Sequence, residues 1–299
     1  MPVSPCAETM FHKVTPRRKN KRWPDAISGA ALLLAFFIIS AALLGCSADP
    51  AEQIFNKAEK SLGLGSHLEA ISQYSYVLGK YPASQLAPMS QYRIAYIYNR
   101  HLNDKKKALE AYSTLLLMYP ASATAQDAIS DMAAIYSQAN DHTKAIEFYQ
   151  RLLKERREGK DEVGYLIAME YIFLNDFKQA RIELMELLKS GARTNLTPNV
   201  YVQIANVYYI EGQHNEAIEW YGKAISGFPD TDAGSEARLG VARSLNESGR
   251  PLESLEALKA IESQAGHKNK ESARALAETI EKRLSEEKRL PEAAKGHRR

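Results

Sequence analysis

From residue 51 onward, apolar and small residues recur at helical spacing, and the pattern itself repeats. Aligning the chain on one alanine exposes the period. Ala70, Ala108, Ala145, Ala180 and Ala217 lie 38, 37, 35 and 37 residues apart, and Ser254 stands 37 further on. Nine residues before the later anchors stand Tyr136, Tyr171, Tyr208 and Leu245. Tyr98 precedes Ala108 by ten, and the extra residue is assigned to the Asn103–Asp104 turn. A further alanine sits three residues before each of these: Ala95, Ala133, Ala168, Ala205 and Ala242. Four residues after the anchors come Tyr74, Tyr112, Tyr149 and Tyr221, with Leu184 and Leu258 as substitutes.

Each unit therefore reads as helix A, a short turn and helix B, and three units end in Tyr81-Pro82, Tyr119-Pro120 and Phe228-Pro229. Proline stops helix B because it lacks an N–H and its ring clashes with the preceding turn. Gly65, Asn103-Asp104, Asn140-Asp141, Asn175-Asp176, Gly212 and Gly249 supply helix-ending chemistry between A and B. Ser84, Ser122 and Thr231 come after the prolines as expected N-caps. Alanine at the A–B contact lets two helix backbones approach, and the tyrosines fill the space beside them.

Six such units occupy 51–262, a capping helix is expected over 263–284, and 285–299 reads as a charged, disordered tail. Units four and five break the pattern, with polar connectors at 154–163 and 189–198 in place of the Pro stop. The array is expected to bend or loosen there.

The amino-terminal segment is different. Residues 26–44, AISGAALLLAFFIISAALL, carry no charge and come after Lys13, Arg17, Arg18, Lys19, Lys21 and Arg22. That order is a signal peptide's: a basic region, then an apolar one, then small residues. Nineteen residues also approach the length of a bilayer span, so hydropathy leaves cleaved and uncleaved forms open. The junction Leu43-Leu44-Gly45-Cys46 resembles the bacterial lipobox. The resemblance implies a signal peptide over 1–45, lipid attachment at Cys46 and a short linker over 46–50. Two or more acyl chains anchor a protein stably where one does not. Ser47 after the cysteine is similar to Gram-negative lipoproteins exported to the outer membrane.

Composition is that of a folded protein, 45% hydrophobic and 25% charged. The net charge of +3 is misleading: residues 1–45 carry six basic and two acidic side chains, a net of +4, which leaves −1 for the rest. A nearly neutral body lacks the basic footprint of a nucleic-acid binder. With cleavage before Cys46 a single cysteine would remain, which excludes an internal disulfide or a cysteine metal site. No HExxH, CxxC, GxSxG or P-loop pattern occurs. His67, His142 and His214 share one position, three before the anchor, and are expected to pack as rings on the turn. No enzyme, cofactor or metal site is expected.

The best unit, Tyr201 to Pro229 (YVQIANVYYIEGQHNEAIEWYGKAISGFP), resembles the tetratricopeptide repeat. The resemblance implies an all-α, right-handed superhelical solenoid of about six helix pairs plus a carboxy-terminal cap. The longer repeats with YPASQLAP and YPASATAQ look like tetratricopeptide lipoproteins of Gram-negative outer membranes, of the BamD type in the β-barrel assembly machinery. In such arrays a concave surface, lined by helix A, binds other proteins. Carried onto this chain, its positions are Tyr92, Tyr96 and Asn99 in unit two, and Tyr165 and Met169 in unit four. They are Asn206 and Tyr209 in unit five, and Arg243 and Asn246 in unit six. Aromatic, Asn and Arg side chains there suit an extended or helical peptide. The lysine–asparagine clamp for a carboxylate is incomplete: Asn206 is present without its lysines. The implied setting is the outer membrane facing the periplasm, held by the lipid anchor. The alternative is an uncleaved single-span inner-membrane adaptor.

Overall fold

The computed structural model describes residues 49–155, 159–189, 194–263 and 268–289. Its contacts divide the chain into Met1–Gln53 and Ile54–Arg299. Of the first unit only the start of the first helix is described, so the apolar run and Cys46 lie outside the described residues.

The described residues hold thirteen α-helices and no strand. Unit one is α1 (Pro50–Gly63) and α2 (His67–Lys80); unit two is α3 (Ala87–Tyr96) and α4 (Lys105–Met118). Unit three is α5 (Ala123–Gln138) with α6 (His142–Glu155), and unit four is α7 (Lys160–Phe173) with α8 (Phe177–Lys189). Unit five is α9 (Thr197–Ile210) with α10 (His214–Gly227), unit six α11 (Asp232–Glu247) with α12 (Pro251–Ser263). Helix α13 (Lys270–Arg289) closes the array on α12. The array is an all-α solenoid in which helices pack on their neighbours in chain order. The cap starts later and ends later than 263–284, so residues 285–289, assigned to the tail, are helical. Glu281, Lys282, Arg283, Glu286 and Glu287 supply opposite charges at i, i+3 and i+4, which support a solvated helix.

The A–B turns share one geometry. Asn103, Asn140 and Asn175 take left-handed φ of 51°, 60° and 58°, and Gly212 takes 75° at the same place. The next residue donates back to the helix A aromatic or leucine, as in Asp141 N to Tyr136 O and Asp176 N to Tyr171 O, both 2.9 Å. This is the Schellman closure, which satisfies helix A's last carbonyls. The aspartates then cap helix B: Asp104 Oδ1 accepts from Lys107 N at 3.0 Å and Asp176 Oδ1 from Gln179 N at 3.0 Å. One dipeptide thus ends one helix and begins the next.

The extra residue of unit two is not in this turn. Ile97–His101 form a π-helical turn at the end of helix A, with Leu102 N bonding Ile97 O at 3.0 Å. Asn103 keeps the position of Asn140 and Asn175, five residues before its anchor, and the closing bond, Asp104 N to Tyr98 O at 2.8 Å, spans one residue more than in the other turns. A helix can absorb one residue by widening a single turn, whereas the Asn-Asp turn has no slack.

The expected N-caps divide. Thr231 Oγ1 accepts from Gly234 N at 3.1 Å. Ser122 precedes α5, but its hydroxyl donates to Tyr119 O at 2.8 Å instead of capping. Ser84 lies further out, its Oγ accepting from Leu86 N, because a turn separates it from α3.

The anchor alanines are fully buried, and the tyrosines four residues later are buried beside them. A Cβ at Gly240 would stand 2.4 Å from Tyr221 Cζ, so that ring occupies the space left by the glycine of the next unit.

Candidate protein-binding surface

The buried tyrosines send their hydroxyls to the helix A side. Tyr74 OH donates to Glu59 Oε1 at 2.5 Å, and Arg93 Nε of the next unit pairs with the same oxygen at 2.8 Å. Tyr112 OH crosses from unit two to unit three and donates to Asp131 Oδ2 at 2.7 Å. Tyr92 OH donates to that oxygen too, at 2.9 Å. Tyr221 OH bonds Asn206 Oδ1 within unit five. Burial first, and then the neighbouring carboxylates, push the phenols of Tyr74, Tyr92 and Tyr112 well above the usual range. These hydroxyls stay protonated and act as fixed donors.

Tyr92 and Tyr96 fall side by side on α3, ring centroids 6.3 Å apart and near parallel. Asn99 departs from expectation. It sits in the π turn, only 5% exposed, and its Oδ1 accepts from Lys105 Nζ at 2.7 Å. The widened turn brings Arg100 to the surface instead, with Nη2 4.0 Å from Asp131 Oδ1.

In the second half of the array three helices meet electrostatically. Tyr165 of α7 is half-buried; burial chiefly raises its pKa, while a hydrogen bond to Gln203 of α9 opposes that and Glu236 of α11 adds to it. Met169 lies one turn along α7, also half-buried. Tyr209 of α9 has its phenol raised by burial and then by Glu247, against the pull of Arg243. Arg243 is exposed. Asn206 has its oxygen taken by Tyr221 and its amide on Gln203. Asn246 Oδ1 accepts from Arg283 of the cap at 2.6 Å. Apart from Asn99, the expected residues thus fall into two groups, Tyr92 with Tyr96, and Tyr165, Met169, Asn206, Tyr209, Arg243 and Asn246.

Sequence reasoning missed Asp131, Glu59 and Arg100. The tyrosine four residues past each anchor could have pointed to the first two, since a buried phenol needs an acceptor.

The three equivalent histidines do pack as rings. His67 stacks on His101 at 4.5 Å, His142 on Phe173 at 5.0 Å, and His214 tilts against Tyr209 at 5.3 Å. His142 does more: its Nδ1 lies 2.6 Å from Glu170 Oε2, inside the contact of α6 with α7. Among the described residues no group of three His, Cys, Asp or Glu is placed to hold a metal, and no helix is long and apolar enough to cross a membrane.

The sequence matches the tetratricopeptide repeat family over residues 89–122, 127–157 and 198–230. No curated protein matches it. Among solved structures, a tetratricopeptide repeat protein from Parabacteroides merdae is 18% identical with a TM-score of 0.55, over 80% of this chain and 88% of that one. The carboxy-terminal part of a TPR repeat-containing protein from Cytophaga hutchinsonii is 18% identical with a TM-score of 0.57, over 77% and 90%. At this identity the likeness concerns the fold. The chain carries tetratricopeptide repeats, a scaffold for binding other proteins and typically without catalysis.

Proposed function

We propose that this chain is a lipid-anchored scaffold of the bacterial envelope, binding protein partners through its helix A face. The observation that carries the binding surface is the two groups of half-buried aromatic side chains on helix A, Tyr92 with Tyr96 and Tyr165 with Tyr209, at the margin of the packed core. Rigid aromatics bordered by hydrogen-bonding groups are the usual energetic centres of protein interfaces. Met169, Asn206, Arg243 and Asn246 complete the second group.

The anchor rests on Leu43-Leu44-Gly45-Cys46 after a basic and then an apolar segment, and the outer-membrane address on Ser47. Labelled palmitate should enter the wild-type protein but not Cys46→Ala, and that variant should leave the membrane fraction. A wild-type protein that takes up no palmitate, together with a Cys46→Ala protein that stays membrane-bound, would refute the anchor. The length of the apolar run, 19 residues, favours a second reading, an uncleaved inner-membrane span. Amino-terminal sequencing of the purified protein separates the two.

Outer-membrane assembly is the setting that the YPxS repeats support. Depletion should lower several outer-membrane barrels together; unchanged barrels would rule this out.

A further inference from the structure

A run of touching rings crosses unit two. His67 stacks on His101, His101 meets Tyr96 at 5.7 Å, Tyr96 lies along Tyr92, and Tyr92 reaches Tyr112 at 5.7 Å. At the inner end stands the Asp131 carboxylate. Tyr92 and Tyr112 both donate to its Oδ2, so the group is braced in one orientation by phenols on two different helices. Its Oδ1 has Arg100 only at 4.0 Å, beyond hydrogen-bond length. Arg93, the other nearby cation, is held by Glu59 at 2.8 Å. Asp127, one helical turn before Asp131, adds further negative potential, felt at the Tyr92 phenol.

A carboxylate fixed beside aromatic faces has a definite ligand chemistry. A guanidinium stacks flat on a tyrosine ring and presents N–H donors in its plane to a carboxylate. We infer that Tyr92, Tyr96 and Asp131 form a subsite for an arginine side chain of an extended partner segment, and that Arg100 is an internal competitor for the same carboxylate. This rests on the reading of the helix A face as a protein-binding surface. If Asp131 only tied α3, α4 and α5 together, its loss would lower stability without any preference for charge in a ligand.

The test uses the full chain in detergent and three fluorescein-labelled nonapeptides of alanine and proline. They carry two arginines, two citrullines or two glutamates, and binding is read by fluorescence anisotropy. Citrulline keeps the shape of arginine and removes the charge. The arginine peptide should bind about tenfold or more tighter than the citrulline peptide. Asp131→Asn and Tyr96→Ala should each erase most of that difference, and Arg100→Ala should tighten the arginine peptide by removing its rival. Arg100→Ala changes an exposed side chain, so this arm survives if Asp131→Asn folds poorly.

Equal binding of arginine and citrulline peptides overturns the subsite. So does an Arg100→Ala protein with unchanged or weaker affinity, and so does failure of every peptide to bind. The broader reading is tested separately, by photocrosslinkers placed at Tyr165 and Tyr209 in cells.

Discussion

Glu170 is buried at 3% exposure at a place, ten residues before the anchor, that Ile135 fills in unit three and Val207 in unit five. Its carboxylate pairs with His142 at 2.6 Å, with Phe173 stacked on the imidazole. Removing the imidazole leaves a buried carboxyl group without its hydrogen-bond partner, at a cost of about 1–3 kcal/mol. His142→Ala should therefore be destabilising. Replacing both, as Glu170→Ile with His142→Phe, removes the two polar groups together and should leave stability close to wild type. A domain of roughly this size shifts about 2–4 °C in Tm per kcal/mol. His142→Ala should then melt about 2–12 °C below wild type and the double variant close to it. Thermal unfolding followed by circular dichroism, with urea titrations at constant m-value, reads all corners of the cycle. A His142→Ala cost under about 1 kcal/mol, or two single losses that simply add, would refute the claim that the carboxylate depends on this imidazole.

Other outcomes depend on single contacts. Asn140→Ala places a β-carbon at a φ of 60° and should cost about 1 kcal/mol, whereas Asn140→Gly should be tolerated; paired melting curves distinguish them. Gly240→Ala drives a Cβ to 2.4 Å from Tyr221, and overpacking of about 1–3 kcal/mol should exceed the roughly 1 kcal/mol gained in helix propensity, lowering Tm. Burial, and then Glu170, push the Tyr149 phenol up to about 12. A raised phenol contributes stability that is complete below the unfolded value near 10 and is lost as pH rises through 12. Unfolding free energy should therefore fall between about pH 10 and 12, and Tyr149→Phe should flatten part of that fall; an equally steep Tyr149→Phe curve would exclude this residue as a source.

The fold was legible because its columns are redundant. Ala70, Ala108, Ala145, Ala180 and Ala217 report one helix contact repeatedly, and left-handed Asn and Gly residues mark one turn repeatedly. Features that occur once were not legible. The π turn of unit two is visible in sequence only as a ten in place of a nine, and spacing does not say which turn widens. Asn99 was placed on the surface by counting from consensus positions, and the widened turn put it inside. Glu170 reads as an ordinary exposed helix residue until the imidazole from the preceding unit is seen beside it. Asp131 depends on a hydroxyl arriving from another repeat, a contact that no local pattern encodes.

The fit of Tyr221 into the space left by Gly240 limits how such an array can be rearranged by gene duplication or shuffling. The tyrosine of unit five requires the room that Gly240 of its successor leaves, and the tyrosine of unit two takes its acceptor, Asp131, from the same place in its successor. Units five and six are therefore matched to each other. Unit four, with Leu184 there, demands no hydroxyl acceptor from its successor. New members of the array would be added more easily behind unit four than between five and six.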